Sequence, residues 1–138
     1  MLRFFLSIDP PTVTQQEHCL GVSRNGKPYV YEDQRLADAR AKLTAYLNQH
    51  KPDAPMDGPL ALSCVWFFHS DSHKDFEWKV SKPDTDNLQK MLKDCMTALG
   101  FWHDDAQVVR ELAMKQWVRK EPPGILISLW PERAHADE

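Results

Sequence analysis

Hydrophobic and polar positions change their period along the chain, and the changes mark its elements. Leu88, Met91, Leu92, Cys95 and Leu99 recur at three- and four-residue intervals, which predicts a helix with one apolar stripe. Pro83 disfavours a helical Lys82, so the chain should arrive there extended. The helix then starts near Asp84, with Asp86 and Asn87 in its first turn, where negative charge suits the helix dipole. Gly100 is the expected stop. After a turn at residues 101–103, residues 106–118 are rich in Val, Leu, Met and Trp and predict a long strand. On a regular strand Asp105 and Lys115 would face the same side.

The remaining pattern is read the same way. Residues 2–8 alternate weakly and predict a strand, ended by Asp9-Pro10-Pro11. Thr12 to His18 is polar and reads as a loop. Cys19 to Ser23 and Pro28 to Tyr31 flank Arg24-Asn25-Gly26-Lys27, and Asn-Gly between short apolar runs signals a hairpin. Asp33 can cap a helix over 34–49, packed through Leu36, Ala39, Leu43, Tyr46 and Leu47. Residues 50–59 hold three prolines and Gly58 and read as a linker inside the domain. Leu60 to Phe68 is apolar on both faces, as in a central strand. His69 to Asp75 is a polar loop, and Phe76 to Val80 either extends a strand or leads into the helix. Gly124 to Trp130 is a second buried strand, expected to pair with 106–118 through the Glu121-Pro122-Pro123 turn. The order is β, β-hairpin, α, β, α, β, β. It predicts an α+β, two-layer fold: one mixed β-sheet with two main helices on one face. Residues 1–130 form one domain on this reading, and 131–138 an acidic C-terminal tail.

Composition narrows the class. The 138 residues are 42% hydrophobic and 27% charged, an ordinary globular balance. No apolar run approaches the roughly 20 residues of a membrane span. The opening MLRFFLSIDPP is too short for a secretory signal. Cys19, Cys64 and Cys95 are scattered and form no zinc pattern, so buried reduced thiols and a cytoplasmic setting are expected. The net charge of −3 is matched by the last 18 residues alone, which carry four acidic side chains and one basic. The rest is balanced, so cations bound to its acids would turn the 74–120 region positive. Lys74, Lys79, Lys82, Lys93, Arg110, Arg119 and Lys120 are then candidate phosphate contacts.

The chemistry concentrates in residues 82–115. Asp84, Asp86, Asp94, Asp104 and Asp105 lie there, with Lys90 and Lys115 among them. Asp86, Lys90 and Asp94 are four apart and form one ridge of the helix. A helix cap and a solvated turn would account for any one of these aspartates alone. Five together, with lysines in register, favour a cation. Clustered carboxylates repel unless a cation neutralises them, and Mg²⁺ takes hard oxygen ligands in ones and twos. A helix of about 14 residues spans roughly 20 Å, however, so Asp105 is not brought to Asp84 and Asp86 by local sequence. The chain must fold back, or a second subunit must supply one side. Trp102, beside the acid pair, is the tryptophan most suited to stacking on a substrate. His69 and His73 fall in a loop, where their spacing makes a poor metal grip.

KPDTDNLQK, Asp94 one turn on, GFWHDDAQVV and Lys115 together resemble the RusA family of Holliday junction resolvases. The match is gapless over about 34 residues and loose before 60 and after 120. The resemblance implies a Mg²⁺-dependent endonuclease (Mn²⁺ being an alternative ion). Such an enzyme is a homodimer that cuts four-way branched DNA with paired symmetric nicks in recombination and repair, in a bacterial or phage setting. Its catalytic and metal-binding aspartates fall on Asp84, Asp86 and Asp105, and its catalytic lysine on Lys90. Asp94 and Asp104 become supporting acids. Lys82, Lys93 and Lys115, with Arg24 and Lys27 at the hairpin tip, become DNA-binding candidates. His103 before the acid pair departs from the pattern. The alternatives are a non-cleaving branched-DNA binding protein and a phosphohydrolase acting on small nucleotides.

Overall fold

The computed structural model describes residues 1–14, 19–22, 24–26, 28–31 and 34–133. The strands are β1 (Leu2–Leu6), β2 (Cys19–Val22), β3 (Pro28–Tyr31), β4 (Leu60–His69), β5 (Val108–Val118) and β6 (Gly124–Pro131). The helices are α1 (Gln34–Asn48) and α2 (Thr85–Leu99), and a short 3₁₀ turn spans Asp105–Gln107. The order of elements is the one the pattern predicts, and so is the α+β class. Four strands make one mixed sheet in the order β1-β6-β4-β5, and β2 and β3 form a separate two-stranded hairpin. The Asp33 cap, Gln15 to His18, Lys27 and the end of the acidic tail lie outside the described residues.

One expected pairing is overturned. β6 does not pair with β5, because β4 lies between them, antiparallel to β6 and parallel to β5. The reason is in β4 itself. A ten-residue strand that is apolar on both faces needs hydrogen-bonding neighbours on both edges. Helix α2, inserted between β4 and β5, supplies the crossover that parallel pairing requires. Strand β5, carrying Arg110, Glu111, Lys115 and Gln116, suits the edge, and the apolar β6 takes an inner position.

Both helices cover one face. Leu36, Leu43 and Leu47 of α1 and Leu88, Met91, Leu92 and Met96 of α2 meet Leu60, Leu62, Cys64, Trp66 and Phe68 of β4 in one core. Each such side chain contributes about 1.5–3 kcal/mol on burial. Gly100 ends α2 in the left-handed region at φ 83, and its N–H reaches the Thr97 carbonyl at 3.1 Å. Cys64 and Cys95 are buried free thiols, as expected. Burial pushes the Cys64 thiol up to about 12, which makes it inert.

Residues 76–79 lie along the C-terminal half of β5. Phe76 N–H donates to Trp117 O (2.7 Å), Trp117 N–H to Glu77 O (2.8 Å) and Lys79 N–H to Lys115 O (3.1 Å). The segment therefore both continues the sheet edge and delivers the chain to the start of α2.

Candidate active site

The start of α2 is held from beneath by two lysines. Lys115 Nζ donates to the carbonyl oxygens of Ser81 and Pro83, each at 2.8 Å. Lys79 Nζ donates to Ser81 Oγ at 2.7 Å and to the Lys82 carbonyl at 2.6 Å. Lys79 is 7% exposed and lies 4.3 Å from the Trp117 ring centroid. Burial, and secondarily the charge of Lys115, lowers its pKa from the ordinary lysine value. Both ammoniums are engaged by the chain's own oxygens. Both are anchors for the loop that ends at Asp84.

Asp84 occupies the N-cap position with extended backbone, φ −74 and ψ 152. Its main-chain carbonyl accepts from Leu88 N–H at 3.1 Å, but its carboxylate caps no helical N–H. That carboxylate is exposed and left available. Asp86 is exposed in the first turn and accepts from the N–H of Asn87 at 3.0 Å. Lys90 pairs with Asp94 at 3.5 Å, so Asp94 supports the lysine rather than the aspartates.

Asp105 lies in the 3₁₀ turn, not on the strand, so the predicted parity with Lys115 does not hold. The turn is rigidly built. Asp104 Oδ1 accepts from Ala106 N–H at 3.0 Å, and this bond, followed by one with Asp105, holds the Asp104 carboxyl below its usual range. Gln107 Oε1 accepts from the N–H groups of His103 (2.7 Å) and Asp104 (3.0 Å). Its Nε2 reaches the carbonyls of Met56 and Gly58, both at 2.9 Å. His103 Nε2 meets Asp57 Oδ1 at 2.7 Å. Trp102 is not available to stack on a substrate. It is 1% exposed and donates to Thr97 Oγ1 at 2.7 Å.

An open groove of about 660 Å³ runs between α2 and β5. Asp86, Lys90 and Asp105 line it together with Thr85, Gln89, Lys93, Glu111, Leu112 and Ala113. Three of the four expected catalytic side chains thus share one cleft, and Asp84 adjoins it through Thr85. Sequence reasoning missed Gln89 and Glu111. Gln89, 5% exposed, is the polar member of α2's buried face, and a polar residue in that stripe was the available signal. Glu111 carries no signal of its own in the strand pattern, because its partners lie on α2.

The acids do not form a single cage. Lys115 sits beside residues 81–83, while Glu111 lies opposite Gln89 and Lys93, so β5 runs antiparallel to α2. Asp86 and Asp105 therefore lie toward opposite ends of the groove. Among the described residues no three His, Cys, Asp or Glu side chains stand close enough to hold one ion. The donor chemistry fits a hard divalent cation held by one or two carboxylates, with water and phosphate completing its shell. A three-carboxylate site within one chain does not fit. Of the remaining candidates, Lys82 and Arg24 are exposed, Lys93 is ion-paired to Glu111, and Arg110 to Glu132 at 3.2 Å. No described helix is long and apolar enough to cross a membrane.

The domain is an α+β fold with a charged groove between its second helix and its edge strand. Comparison with known proteins supplies its family. The chain belongs to the RusA family: the model described as Endodeoxyribonuclease RusA matches residues 10–129. It is 35% identical over 111 residues to the crossover junction endodeoxyribonuclease rusA of Lactococcus phage r1t, covering 78% of this chain and 82% of that one. It is 54% identical over 37 residues to the crossover junction endodeoxyribonuclease RusA of Escherichia coli (strain K12), a match spanning 27% and 31% of the two chains. It is also 26% identical over 114 residues to the uncharacterized protein YqaN of Bacillus subtilis (strain 168), covering 74% and 79%.

Proposed function

We propose that the protein is a Holliday junction resolvase, a divalent-metal-dependent endodeoxyribonuclease that acts as a homodimer on four-way DNA in recombination and repair. The observation that carries this is the groove of a RusA-family chain, where the exposed Asp86 and Lys90 of α2 line one wall with Asp84 adjoining them and Asp105 lies at the far end. Asp84 and Asp86 at the start of α2, with Asp105, would hold the ion, Mg²⁺ by preference for carboxylate oxygen. When bound, the ion supplies Lewis acidity at the scissile phosphate and an acidified water. The chain's own residues do the rest. Lys90, exposed on the groove wall and only loosely paired, neutralises charge that builds on the phosphate oxygens. Lys79 and Lys115 fix the backbone that presents Asp84.

The distance between Asp105 and the α2 acids supports two chains per site. In a two-fold dimer, Asp105 of one copy can lie beside Asp84 and Asp86 of the other, and two such sites match two symmetric strands. The test is a strand-cleavage assay on a four-way junction, a fork and a linear duplex, with Mg²⁺ and with EDTA. Paired symmetric nicks confined to the junction and to Mg²⁺ are expected. Junction binding without cleavage in Mg²⁺ would favour the non-cleaving branched-DNA binder. Turnover of nucleoside phosphates with indifference to branching would favour a small-nucleotide phosphohydrolase.

A further inference from the structure

The middle of the groove holds an ion pair that the chemistry above does not use. Lys93 Nζ lies 2.9 Å from Glu111 Oε1, and Gln89 Nε2 donates to Glu111 Oε2 at 2.7 Å. Gln89 cannot turn away. Its Oε1 accepts from the indole N–H of Trp66 at 2.7 Å, and an indole only donates, so the amide orientation is set. Trp66 is fully buried in the core. The core therefore aims one N–H at Glu111, and both oxygens of that carboxylate are engaged.

The two lysines of this groove wall are held very differently. Lys93 follows Lys90 by about 4.5 Å along the helix axis. The side chains of Lys93 and Glu111 are 23% and 27% exposed, so solvent screens their pair only in part. The Lys90–Asp94 pair is longer, at 3.5 Å, and more open, at 60% and 42%. Such an exposed pair contributes little and leaves its lysine free to turn to a phosphate.

We propose that Glu111 withholds Lys93 from DNA: it is a built-in counter-charge that a phosphate must displace before Lys93 can contact it. This rests on the reading that the groove takes a DNA strand. A lysine locked on a carboxylate releases no counterion from DNA, so the groove binds with one phosphate contact fewer than its lysines suggest. Glu111 thereby lowers the part of the affinity that is blind to sequence and shape.

The salt dependence of binding tests this. Anisotropy of a labelled four-way junction is measured in EDTA across a KCl series for wild type, Glu111→Gln, Lys93→Ala and the double variant. Glutamine keeps a carbonyl oxygen for Gln89, so Glu111→Gln retains that contact. Its slope of log K against log[salt] should steepen by about 0.9, which is roughly eightfold tighter binding at 0.1 M salt. Removing Lys93 from the Glu111→Gln background should return the slope to the wild-type value, while Lys93→Ala alone, which bares the Glu111 carboxylate, should bind no more tightly than wild type. A Glu111→Gln slope equal to wild type, or a double variant that keeps the steeper Glu111→Gln slope, overturns the proposal while leaving the resolvase reading intact. Failure of wild type to bind any junction would instead sink that reading, and this one with it.

Discussion

Lys115 places its ammonium 2.8 Å from the carbonyl oxygen of Pro83, the residue before Asp84. The bond joins the edge strand β5 to the loop that presents the first acid of the site, and a second bond to Ser81 makes the link two-pronged. A lysine committed in this way is expected to act on position rather than on phosphate. Lys115→Met should cost about 2 kcal/mol of stability in urea unfolding, the scale for hydrogen bonds from a charged donor. Cleavage should slow while the salt slope of junction binding stays at the wild-type value. A slope reduced by about 0.9 would make Lys115 a phosphate contact after all.

Gly124 opens β6 where the strand meets the end of β1. A Cβ there would fall on the carbonyl oxygen of Leu6 and the ring of Phe5, so the collision involves backbone as well as side chain. Gly124→Ala should therefore destabilise the fold by about 3 kcal/mol, the upper range for overpacking. Thermal or urea unfolding measures it. A change below about 0.5 kcal/mol, ordinary for a surface site, would mean that β6 does not close against β1 as described.

Asp75 accepts backbone N–H bonds from Arg119 (2.7 Å), Glu121 (3.0 Å) and Lys120 (3.1 Å). These bonds, the one from Arg119 foremost, hold its carboxyl below the usual carboxylate range. A carboxyl lowered in the folded state adds stability above its unfolded pKa of about 3.9 and loses it as pH falls through the folded value. The stability difference between wild type and Asp75→Asn should be flat from about pH 5 to 8 and shrink below about pH 4. A difference that stays constant down to pH 2 would contradict these bonds.

Much of this was legible in the chain. The period of Leu88, Met91, Leu92 and Cys95 and the glycine at 100 gave α2 its bounds, because both signals are local. The β6 pairing was not legible. It depends on which strand most needs neighbours on both edges, and that is settled by competition within the whole sheet. The same holds for the site. The aspartates announced themselves by spacing, whereas Glu111 acquires meaning only opposite Gln89 and Lys93, which lie 22 and 18 residues away. Lys79 and Lys115 looked like phosphate contacts because charge is visible in a sequence and burial against a loop is not. Trp102 was matched to a substrate because its place beside the acid pair shows in the sequence and its burial does not.

Within one chain Asp86 and Asp105 lie toward opposite ends of the groove, which makes a mixing experiment informative. Asp86→Asn and Asp105→Asn are each expected to be inactive. Co-expressed, they should form mixed dimers in which one site recovers both native acids, provided the site is built across two chains. Denaturing gels should then show single-strand nicks in the junction without paired cuts. No recovery in verified mixed dimers would place all the acids of a site in one chain.

The acids at the start of α2 are proposed to carry strand cleavage in this groove. Asp86→Asn tests it most directly, with cleavage and junction affinity measured side by side in Mg²⁺. Cleavage should fall by at least about a thousandfold, comparable to the loss of one essential charge-stabilising group, while affinity stays the same or rises. Wild-type cleavage by Asp86→Asn would contradict the claim outright.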